Sequence, residues 1–199
     1  MTAAPAASPH APTNATLSLL KTRKSPKVLD MAGPGPTPDE VDELLAIASR
    51  VPDHGKLTPW RFIVFEGEAR ERAGVAIAKV FLADNPDADA DRVAIERSRL
   101  THAPVVIAVV SKAGPHVKIP EWEQTLSGAA AATLLVVGAH ALGYSATWLT
   151  QWFSYDARVR GALGLAEDER FIGFVHIGTP AHPPEDRPRP ALADIVTRF

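Results

Sequence analysis

The amino-acid sequence predicts one domain that mixes α-helices with β-strands. Three short hydrophobic runs have the length and composition of buried strands, Arg61–Glu66, Pro104–Ser111 and Arg170–Gly178, and most of the chain between them is predicted to be helical. The chain has 199 residues, of which 46% are hydrophobic and 22% are charged, and this is sufficient for one sizeable core. Strands that alternate with helices are typical of both α/β and α+β folds, and the residues alone leave these two classes open.

Composition excludes several kinds of site and partner. The net charge is −2 and no apolar run reaches the length of a membrane span, so we expect binding neither to nucleic acid nor to a membrane. The chain has no cysteine, which excludes disulfides, thiolate catalysis and Cys-ligated metal sites. The seven histidines are scattered, and no metal site is predicted. The first basic residue is Lys21, which argues against a signal peptide, so we expect a cytoplasmic protein.

The N-terminal region has two parts. Residues 1–15 are rich in Ala and Pro without periodicity and are predicted to be disordered, so the folded domain is predicted to span residues 16–199. A short helix is predicted over Thr16–Arg23. The segment Arg23–Lys27, Arg-Lys-Ser-Pro-Lys, follows it. Three cations around a hydroxyl can bind a phosphate group, and a solvated basic turn is the alternative interpretation.

The next helix and the loop after it form the clearest candidate site. The sequence Thr-Pro-Asp-Glu that begins at Thr37 is a capping box with proline at the first helical position. Pro52 restricts the residue before it, so the helix is predicted to end near Arg50. Residues 53–58, Asp-His-Gly-Lys-Leu-Thr, are mostly polar and lie between two prolines. A polar loop held between a buried helix and a buried strand is a typical place for a ligand.

The second half of the chain is predicted to contain one long helix and several shorter elements. The long helix covers about residues 120–142, and Gly143 suits its C-terminal cap. Its centre, residues 127–132, has almost no side-chain bulk, so another helix could approach it closely. The remaining elements are helices over 67–83, 87–101 and 156–163, a turn and short strand over 143–150, and a proline-rich tail over 180–199. Such a tail buries little surface by itself and is expected to lie across another surface.

Two runs on either side of the polar loop resemble the motif of the FMN-dependent nitroreductase family. They are Arg50-Val51-Pro52-Asp53 and Thr58-Pro59-Trp60-Arg61-Phe62-Ile63-Val64. The family's usual form is Arg, a small residue, Pro and Ser, then Asn, any residue, Gln-Pro-Trp and a hydrophobic strand. The Pro-Trp end matches, whereas Asp53 stands in place of Ser, Lys56 in place of Asn and Thr58 in place of Gln. The Pro-Asp-His form is similar to a short bacterial branch whose members are named as NAD(P)H nitroreductases.

This resemblance covers the chain from about Leu17 to its end and implies a specific architecture. The family has an α+β fold in which helices sandwich a mixed β-sheet. Its members form intertwined homodimers through long central helices, which favours a subunit interface at residues 127–132 over ordinary core packing. The C-terminal segment of the family often crosses onto the partner subunit, and residues 180–199 are the candidate for this crossing here.

The resemblance also implies an FMN site and the residues that form it. Basic residues near both ends of the chain match those that the family uses around the FMN phosphate, and other positions match flavin contacts in the short branch. The implied phosphate residues are Arg23, Lys24, Ser25, Arg187 and Arg189, and the implied flavin contacts are Arg50, His54, Trp148, Leu149 and Thr150. A cation near N1 and O2 of the flavin would stabilise its reduced form, and Lys27, Lys56 and His54 are all candidates.

The implied activity is that of an FMN-dependent oxidoreductase with ping-pong kinetics. NADH or NADPH would reduce the flavin at N5, and the flavin would then reduce a nitroaromatic, a quinone or a similar small-molecule acceptor. Because the flavin carries the chemistry, no catalytic acid, base or nucleophile of the protein is predicted. Three other interpretations stay open: a non-catalytic protein that binds or sequesters flavin, a structural dimer without a cofactor, and a flavin enzyme with another reaction. The sequence does not choose between NADH and NADPH.

Overall fold

The computed structural model of this protein describes residues 14–199, so most of the segment predicted to be disordered, residues 1–15, lies outside the described part of the chain. Its last two residues are ordered, because Asn14 caps the first helix and Ala15 begins it. The helices are α1 (Ala15–Thr22), α2 (Pro38–Ala48), α3 (Glu68–Asp84), α4 (Ala90–Arg97), α5 (Glu121–Ala141), α6 (Trp152–Tyr155), α7 (Ala157–Ala162) and α8 (Leu192–Ile195). The strands are β1 (Met31–Ala32), β2 (Trp60–Glu66), β3 (Val105–Ser111), β4 (Ser145–Leu149) and β5 (Arg170–Pro180). Across residues 14–199, none of the helices combines the length and the apolar composition needed to cross a membrane.

The five strands form one sheet with β3 and β5 at its centre. β3 lies between β2 and β5, and both β1 and β4 also pair with β5. Ile107 at the centre of β3 lies opposite Val64 of β2 and Val175 of β5. β4 pairs with residues 174–178 of β5, and β1 pairs with residues 179–180. The two central strands therefore have hydrogen-bonded neighbours along both of their edges.

The α+β class is confirmed, with one correction to the sheet. Every strand pairing within residues 14–199 is antiparallel, whereas the resemblance implied a mixed sheet. The physical reason is visible between β2 and β3, which are joined by two helices, α3 and α4. Two helices return the chain to the end of the sheet that it left, so the next strand runs in the opposite direction. The two residues of β1 are not predicted as a strand, because they depend entirely on pairing with β5.

Two hydrophobic cores lie on opposite faces of the sheet. Successive residues of a strand point to opposite faces, and β3 follows this rule throughout. Every second residue from Val105 belongs to the core against α2 and α5, and the alternate set from Val106 belongs to the core that contains Ala73 and Ile77 of α3. Because β3 is buried on both faces, its sequence is hydrophobic without alternation.

The long helix α5 uses small residues to pack within the chain and leaves one side outward. A Cβ added at Gly128 would lie 3.1 Å from Cγ1 of Ile172 on β5, and one added at Gly138 would lie 3.1 Å from Cδ2 of Leu44 on α2. The opposite side of the helix carries exposed or half-buried residues at spacings of three and four. They are Trp122, Leu126, Ala129, Thr133 and Val137, and we call this set the outer stripe. It is the part of α5 that stays available for another subunit.

Candidate functional site

The cationic segment Arg23–Lys27 follows α1 and runs over the C-terminal end of α5. Nε2 of His140 lies 2.7 Å from the carbonyl oxygen of Lys24. Thr147 of β4 donates its hydroxyl to the carbonyl oxygen of Pro26 at 2.6 Å. These two hydrogen bonds fix the backbone of Arg23–Lys27 to α5 and β4. The three cations and the hydroxyl of the segment are exposed or half-buried, so they are available to a ligand.

One atom of the segment lacks a partner. Nη1 of Arg23 is buried and has no hydrogen-bond acceptor among the described residues. A buried N–H without an acceptor costs free energy, and an anion beside it would supply the missing acceptor. The side chain lines a cavity of 260 Å³ together with Lys24, His140 and Ser145. The charge and the donors of this cavity suit a phosphate group.

The C-terminal tail lies beside the cationic segment. Pro184 lines the cavity that contains Arg23. Residues 182–185 enclose a second cavity, of 340 Å³, together with Ser25 and Lys27. The two ends of the folded chain therefore meet above the C-terminal end of α5, and basic residues that are far apart in sequence come close together.

Arg187 and Arg189 bring positive charge to this part of the tail. The Arg189 side chain donates to Oδ1 of Asp186 at 2.7 Å, and the backbone N–H of Arg187 donates to the same oxygen at 2.9 Å. Arg189, with a smaller contribution from Lys24, holds the pKa of Asp186 below its ordinary value. Asp186 is therefore ionised at neutral pH and offsets part of the local positive charge. The Arg187 side chain is exposed and forms no ion pair within residues 14–199.

The polar loop has a strained backbone that its aspartate stabilises. Lys56 and Thr58 have φ angles of 56° and 48°, which are uncommon for residues with a side chain. The two carboxylate oxygens of Asp53 accept hydrogen bonds from the backbone N–H groups of Leu57 at 3.1 Å and Thr58 at 2.8 Å. A serine hydroxyl has only one oxygen, so this arrangement explains the aspartate at a position where the family usually has serine.

Two sets of hydrogen bonds anchor the loop to the N-terminal half of α5. Nδ1 of His54 lies 2.7 Å from Oε2 of Glu123. The hydroxyl of Ser127 donates to the carbonyl oxygen of Pro52 at 2.7 Å and accepts from the indole N–H of Trp60 at 3.0 Å. The sequence pattern does not reveal the contact of Glu123 with His54, because an acidic residue at a helix start has an ordinary explanation.

Trp148 and Leu149 are the last two residues of β4, and Thr150 follows them. The Trp148 side chain is directed outward, and its indole N–H donates to the carbonyl oxygen of Ile172 at 3.3 Å. A Cβ at Gly173 would collide with this indole, so the position of Trp148 depends on that glycine. Leu149 is half-buried and Thr150 is exposed.

The predicted site residues form two groups at opposite ends of α5. The cationic half-site, which we define as Arg23–Lys27 and the two tail arginines, lies at the C-terminal end of the helix. The loop half-site, residues 50–58, lies at its N-terminal end. The residues that anchor them, His140 and Glu123, are 17 positions apart in the helix, which corresponds to about 25 Å. A single chain therefore does not bring His54 next to the cationic half-site.

The sequence matches one family model and is similar to named bacterial proteins. The model of the Nitroreductase family matches residues 20–179. The Escherichia coli (strain K12) protein named "Putative NAD(P)H nitroreductase YdjA" is 35% identical over 166 residues, which covers 82% of this chain and 87% of YdjA.

Two solved structures share the fold. The nitroreductase-like family protein from Bacillus cereus has a TM-score of 0.82 at 23% identity, with 95% of this chain and 98% of that chain covered. A nitroreductase with bound FMN from Bacteroides fragilis NCTC 9343 has a TM-score of 0.68 at 21% identity, with 94% and 100% covered. The match to the family model across most of the chain and the 35% identity to YdjA show that this protein belongs to the nitroreductase family.

Proposed function

We propose that this protein is an FMN-dependent oxidoreductase that takes electrons from NADH or NADPH and passes them to a small-molecule acceptor. The observation that carries this proposal is the buried Arg23 nitrogen that lacks an acceptor in the cationic half-site. The bound FMN of the Bacteroides fragilis relative supports the cofactor, and the name of YdjA supports the electron donor. Nitroaromatics and quinones are the class of acceptor that we expect.

The cationic half-site fits the FMN phosphate by its charge and its donors. A phosphate beside Arg23 would accept from Nη1 and turn a buried, unsatisfied donor into a charge-assisted hydrogen bond. Lys24 and Lys27 would add positive charge, and Ser25 would add a hydroxyl donor. Arg189 already pairs with Asp186, so the exposed Arg187 is the tail arginine with a side chain available for the phosphate.

A second copy of the chain would complete the site. FMN is shorter than the distance of about 25 Å along α5 between His140, which contacts the cationic half-site, and Glu123, which contacts His54 of the loop half-site. Two α5 helices that pack antiparallel through their outer stripes would place the N-terminal end of one helix beside the C-terminal end of the other. Each cationic half-site would then face the loop half-site of the partner. We therefore propose a homodimer with two FMN sites at its interface.

Exposed apolar side chains support this assembly. Trp122 and Leu126 of the outer stripe are 68% and 47% exposed in the single chain. In the tail, Leu192 and Ile195 of α8 are 74% and 62% exposed. Apolar groups in this number are typical of surfaces that another protein covers. The tail would bury its apolar residues by crossing onto the partner, as the family resemblance implies.

The role of the protein in the reaction would be to bind FMN and to orient the electron donor and the acceptor. When bound, FMN supplies the redox chemistry, because its N5 accepts a hydride and later delivers it to the acceptor. The cationic half-site would fix the phosphate, and the strained loop would hold His54 in one position through Glu123. Trp148 would form part of the wall along the flavin. Orientation of the donor and the acceptor would then account for most of the rate enhancement.

An absorbance spectrum of the purified protein with FMN tests the proposal directly. NADH and then NADPH would be added anaerobically, and bleaching of the flavin band would establish the reductive half-reaction and the preferred donor. A bound flavin that stays oxidised would instead favour a flavin-sequestering protein. Absence of flavin binding would contradict the proposal as a whole. Steady-state kinetics would add a second test, because ping-pong kinetics requires parallel lines in double-reciprocal plots.

A further inference from the structure

A second loop lies beside the loop half-site and has no role in the FMN site proposed above. It covers residues 112–119 between β3 and α5, and we call it the β3–α5 loop. At its start, the backbone N–H of Lys112 donates to the carbonyl oxygen of Pro59 at 2.8 Å. At its end, a Cβ added at Gly55 would lie 2.5 Å from Cδ1 of Ile119. The two loops therefore pack against each other at both ends.

Gln124 of α5 holds the β3–α5 loop in one conformation. Its side chain is buried, and its amide donates to the carbonyl oxygens of Gly114 at 2.8 Å and Ile119 at 3.1 Å. Its side-chain oxygen accepts from the backbone N–H of Gly114 at 3.1 Å. The whole carboxamide is bonded to the loop backbone, so Gln124 orders the loop and is not available to a ligand.

The two loops line an open cavity of 270 Å³ that contains several hydrogen-bond donors. The lining residues are Leu57, Thr58, Pro59, Lys112, Gly114, Pro115, His116 and Gln124. No carboxylate is among these lining residues. The ammonium group of Lys112, the hydroxyl of Thr58 and the imidazole of His116 are therefore the side-chain groups left for a ligand. A positive charge beside N–H and O–H donors suits an oxyanion.

The tautomer of His116 follows from its contacts with the loop backbone. Nδ1 lies 3.2 Å from the backbone nitrogen of Lys118 and 3.1 Å from that of Ile119. Both backbone groups are N–H donors, so Nδ1 accepts and the ring hydrogen is on Nε2. This Nε2–H has no hydrogen-bond partner within residues 14–199. The loop therefore presents a fixed N–H donor at the cavity.

Lys112 supplies the positive charge of the cavity. Its side chain is exposed and forms no ion pair within residues 14–199. Hydrogen bonds from Arg61 hold the pKa of Glu169 at about 2, and Lys112 makes only the smallest contribution to this shift. The two oxygens of Glu169 accept from Arg61 at 2.7 Å and 2.6 Å. The ammonium group of Lys112 is therefore available to an anion from solution.

We propose that this cavity binds the anionic group of a substrate, a phosphate or a carboxylate, while the rest of the substrate lies against the flavin. This inference rests on the proposed FMN function, because the cavity shares Leu57 and Thr58 with the loop half-site. Lys112 and His116 donate to the oxyanion, and Thr58 adds its hydroxyl. Two substrates carry such a group: NADPH has a 2′-phosphate, and some nitroaromatic or quinone acceptors have a carboxylate. The cavity selects them over their neutral counterparts.

Steady-state kinetics of Lys112→Met with matched substrate pairs tests the proposal. NADPH is compared with NADH, and 4-nitrobenzoate with 4-nitrobenzamide, so the members of each pair differ in one anionic group. In one pair, kcat/KM for the anionic member should fall about fivefold, because an exposed charge pair is lost, and the neutral member should keep the wild-type value. The pair that responds identifies the donor or the acceptor as the source of the anion. Equal losses for both members, or no loss in either pair, would overturn the proposal.

Two further variants test the second donor and the specificity of the effect. In His116→Asn, the side-chain oxygen replaces Nδ1 as the acceptor for the loop backbone, and the Nε2 donor is removed. This variant should repeat the selectivity change of Lys112→Met with the stability of the wild type. Lys79→Met is the matched control, because Lys79 is an exposed lysine of α3 on the opposite face of the sheet. It should keep wild-type kinetics with all four substrates.

A measurement without turnover uses inorganic phosphate as the probe and the full chain without FMN. In NMR titrations, the amide signals of Thr58, Lys112 and His116 should shift saturably in the wild type and stay unshifted in Lys112→Met. Signals of Arg23–Lys27 report phosphate in the cationic half-site, and Arg23→Ala should remove only those shifts. Unshifted amides at the cavity of the wild type would overturn the subsite. Failure of FMN to bind or to be reduced would contradict the proposed function instead, and this titration does not depend on it.

Discussion

The effect of Arg23 on the stability of the apoprotein and its effect on FMN binding can be measured separately. Its buried Nη1 has no acceptor within residues 14–199, so Arg23→Ala should cost the apoprotein little stability. FMN binding should weaken by roughly 1.5–3 kcal/mol, or about 10- to 150-fold in Kd, because a hydrogen bond to a charged phosphate is lost. Fluorescence titration gives the Kd, and urea denaturation of the apoprotein gives the stability.

Arg72→Ala is the matched control for this change. Arg72 is an exposed residue of α3 that pairs with Glu68 at 3.6 Å, on a helix that contributes nothing to either half-site. Its removal should leave both the Kd of FMN and the stability close to wild type. An unchanged Kd in Arg23→Ala would remove Arg23 from the phosphate site.

His176 makes stability depend on pH in the mildly acidic range. It is 2% exposed, and its Nδ1 has no hydrogen-bond partner among residues 14–199. Burial, with a smaller contribution from His102, lowers its pKa from 6.5 to about 4. The unfolded chain therefore binds a proton below pH 6.5, whereas the folded protein does so only below about pH 4. Stability should fall by at most roughly 3 kcal/mol as pH decreases through this window.

His176→Leu should remove most of this loss, as measured by urea denaturation at pH 7.5 and pH 5. The carboxyl groups of Asp156 and Glu169, whose pKa values their arginine partners lower to about 2, destabilise the fold mainly below pH 5. Their effect therefore lies outside the chosen window. Burial also lowers the pKa of His102, so a smaller slope should remain. A slope as steep as that of the wild type would show that His176 is not the source.

At the scale of elements, the β3–β5 pairing contains an irregularity beside Trp148, a candidate site residue. The register shifts after Val109, which lies opposite Gly173, so Ile172 has no partner on β3. The indole of Trp148 occupies the space that a Cβ at position 173 would need. Gly173→Ala should therefore displace Trp148 and destabilise the fold by about 1–3 kcal/mol through overpacking. FMN affinity should fall as well, because Trp148 belongs to the proposed flavin wall.

Gly161→Ala provides the control for this glycine substitution. Gly161 lies in α7, and an added Cβ there has no neighbour within 4 Å. Alanine has the higher helix propensity, so this variant should be unchanged or more stable by up to about 1 kcal/mol. The two variants should differ both in Tm, measured by thermal unfolding, and in the Kd of FMN, measured by titration. Wild-type affinity and stability in Gly173→Ala would reject the link between the irregular register and the site.

Elements with strong local signals could be predicted, and those that depend on distant pairing could not. The capping box at Thr37 predicts the start of α2, and both hydrogen bonds of the box are present. The helix predicted over 120–142 is α5 at Glu121–Ala141. In contrast, β1 has two residues and exists only through contact with β5. Such elements leave no periodicity in the sequence.

At the scale of the whole molecule, the candidate site also depends on contacts between residues that are distant in sequence. The family motif locates the residues of both half-sites in sequence. It does not show that His140 and Thr147 hold the cationic segment, because these contacts join residues 116 and 121 positions apart. It also does not show that one long helix separates the half-sites. The proposal of a site shared between two subunits therefore depends on the folded structure.

A charge placed on the outer stripe should therefore abolish assembly and cofactor binding together. Thr133 lies near the middle of α5 and is exposed, so Thr133→Glu should leave the fold of the single chain intact. In an antiparallel pair of α5 helices, the two glutamates would approach each other across the two-fold axis, and like charges at an interface are destabilising. Analytical ultracentrifugation should give a monomer, and FMN should bind at least tenfold more weakly.

Val75→Glu is the control, because Val75 is an exposed apolar residue of α3, away from the outer stripe. It should keep the mass of the dimer and wild-type FMN binding. Far-ultraviolet circular dichroism of both variants would verify that helix content is retained. The shared-site proposal requires the two effects of Thr133→Glu to occur together. A monomeric variant with wild-type affinity for FMN would show that one chain forms the whole site and would overturn the shared-site proposal.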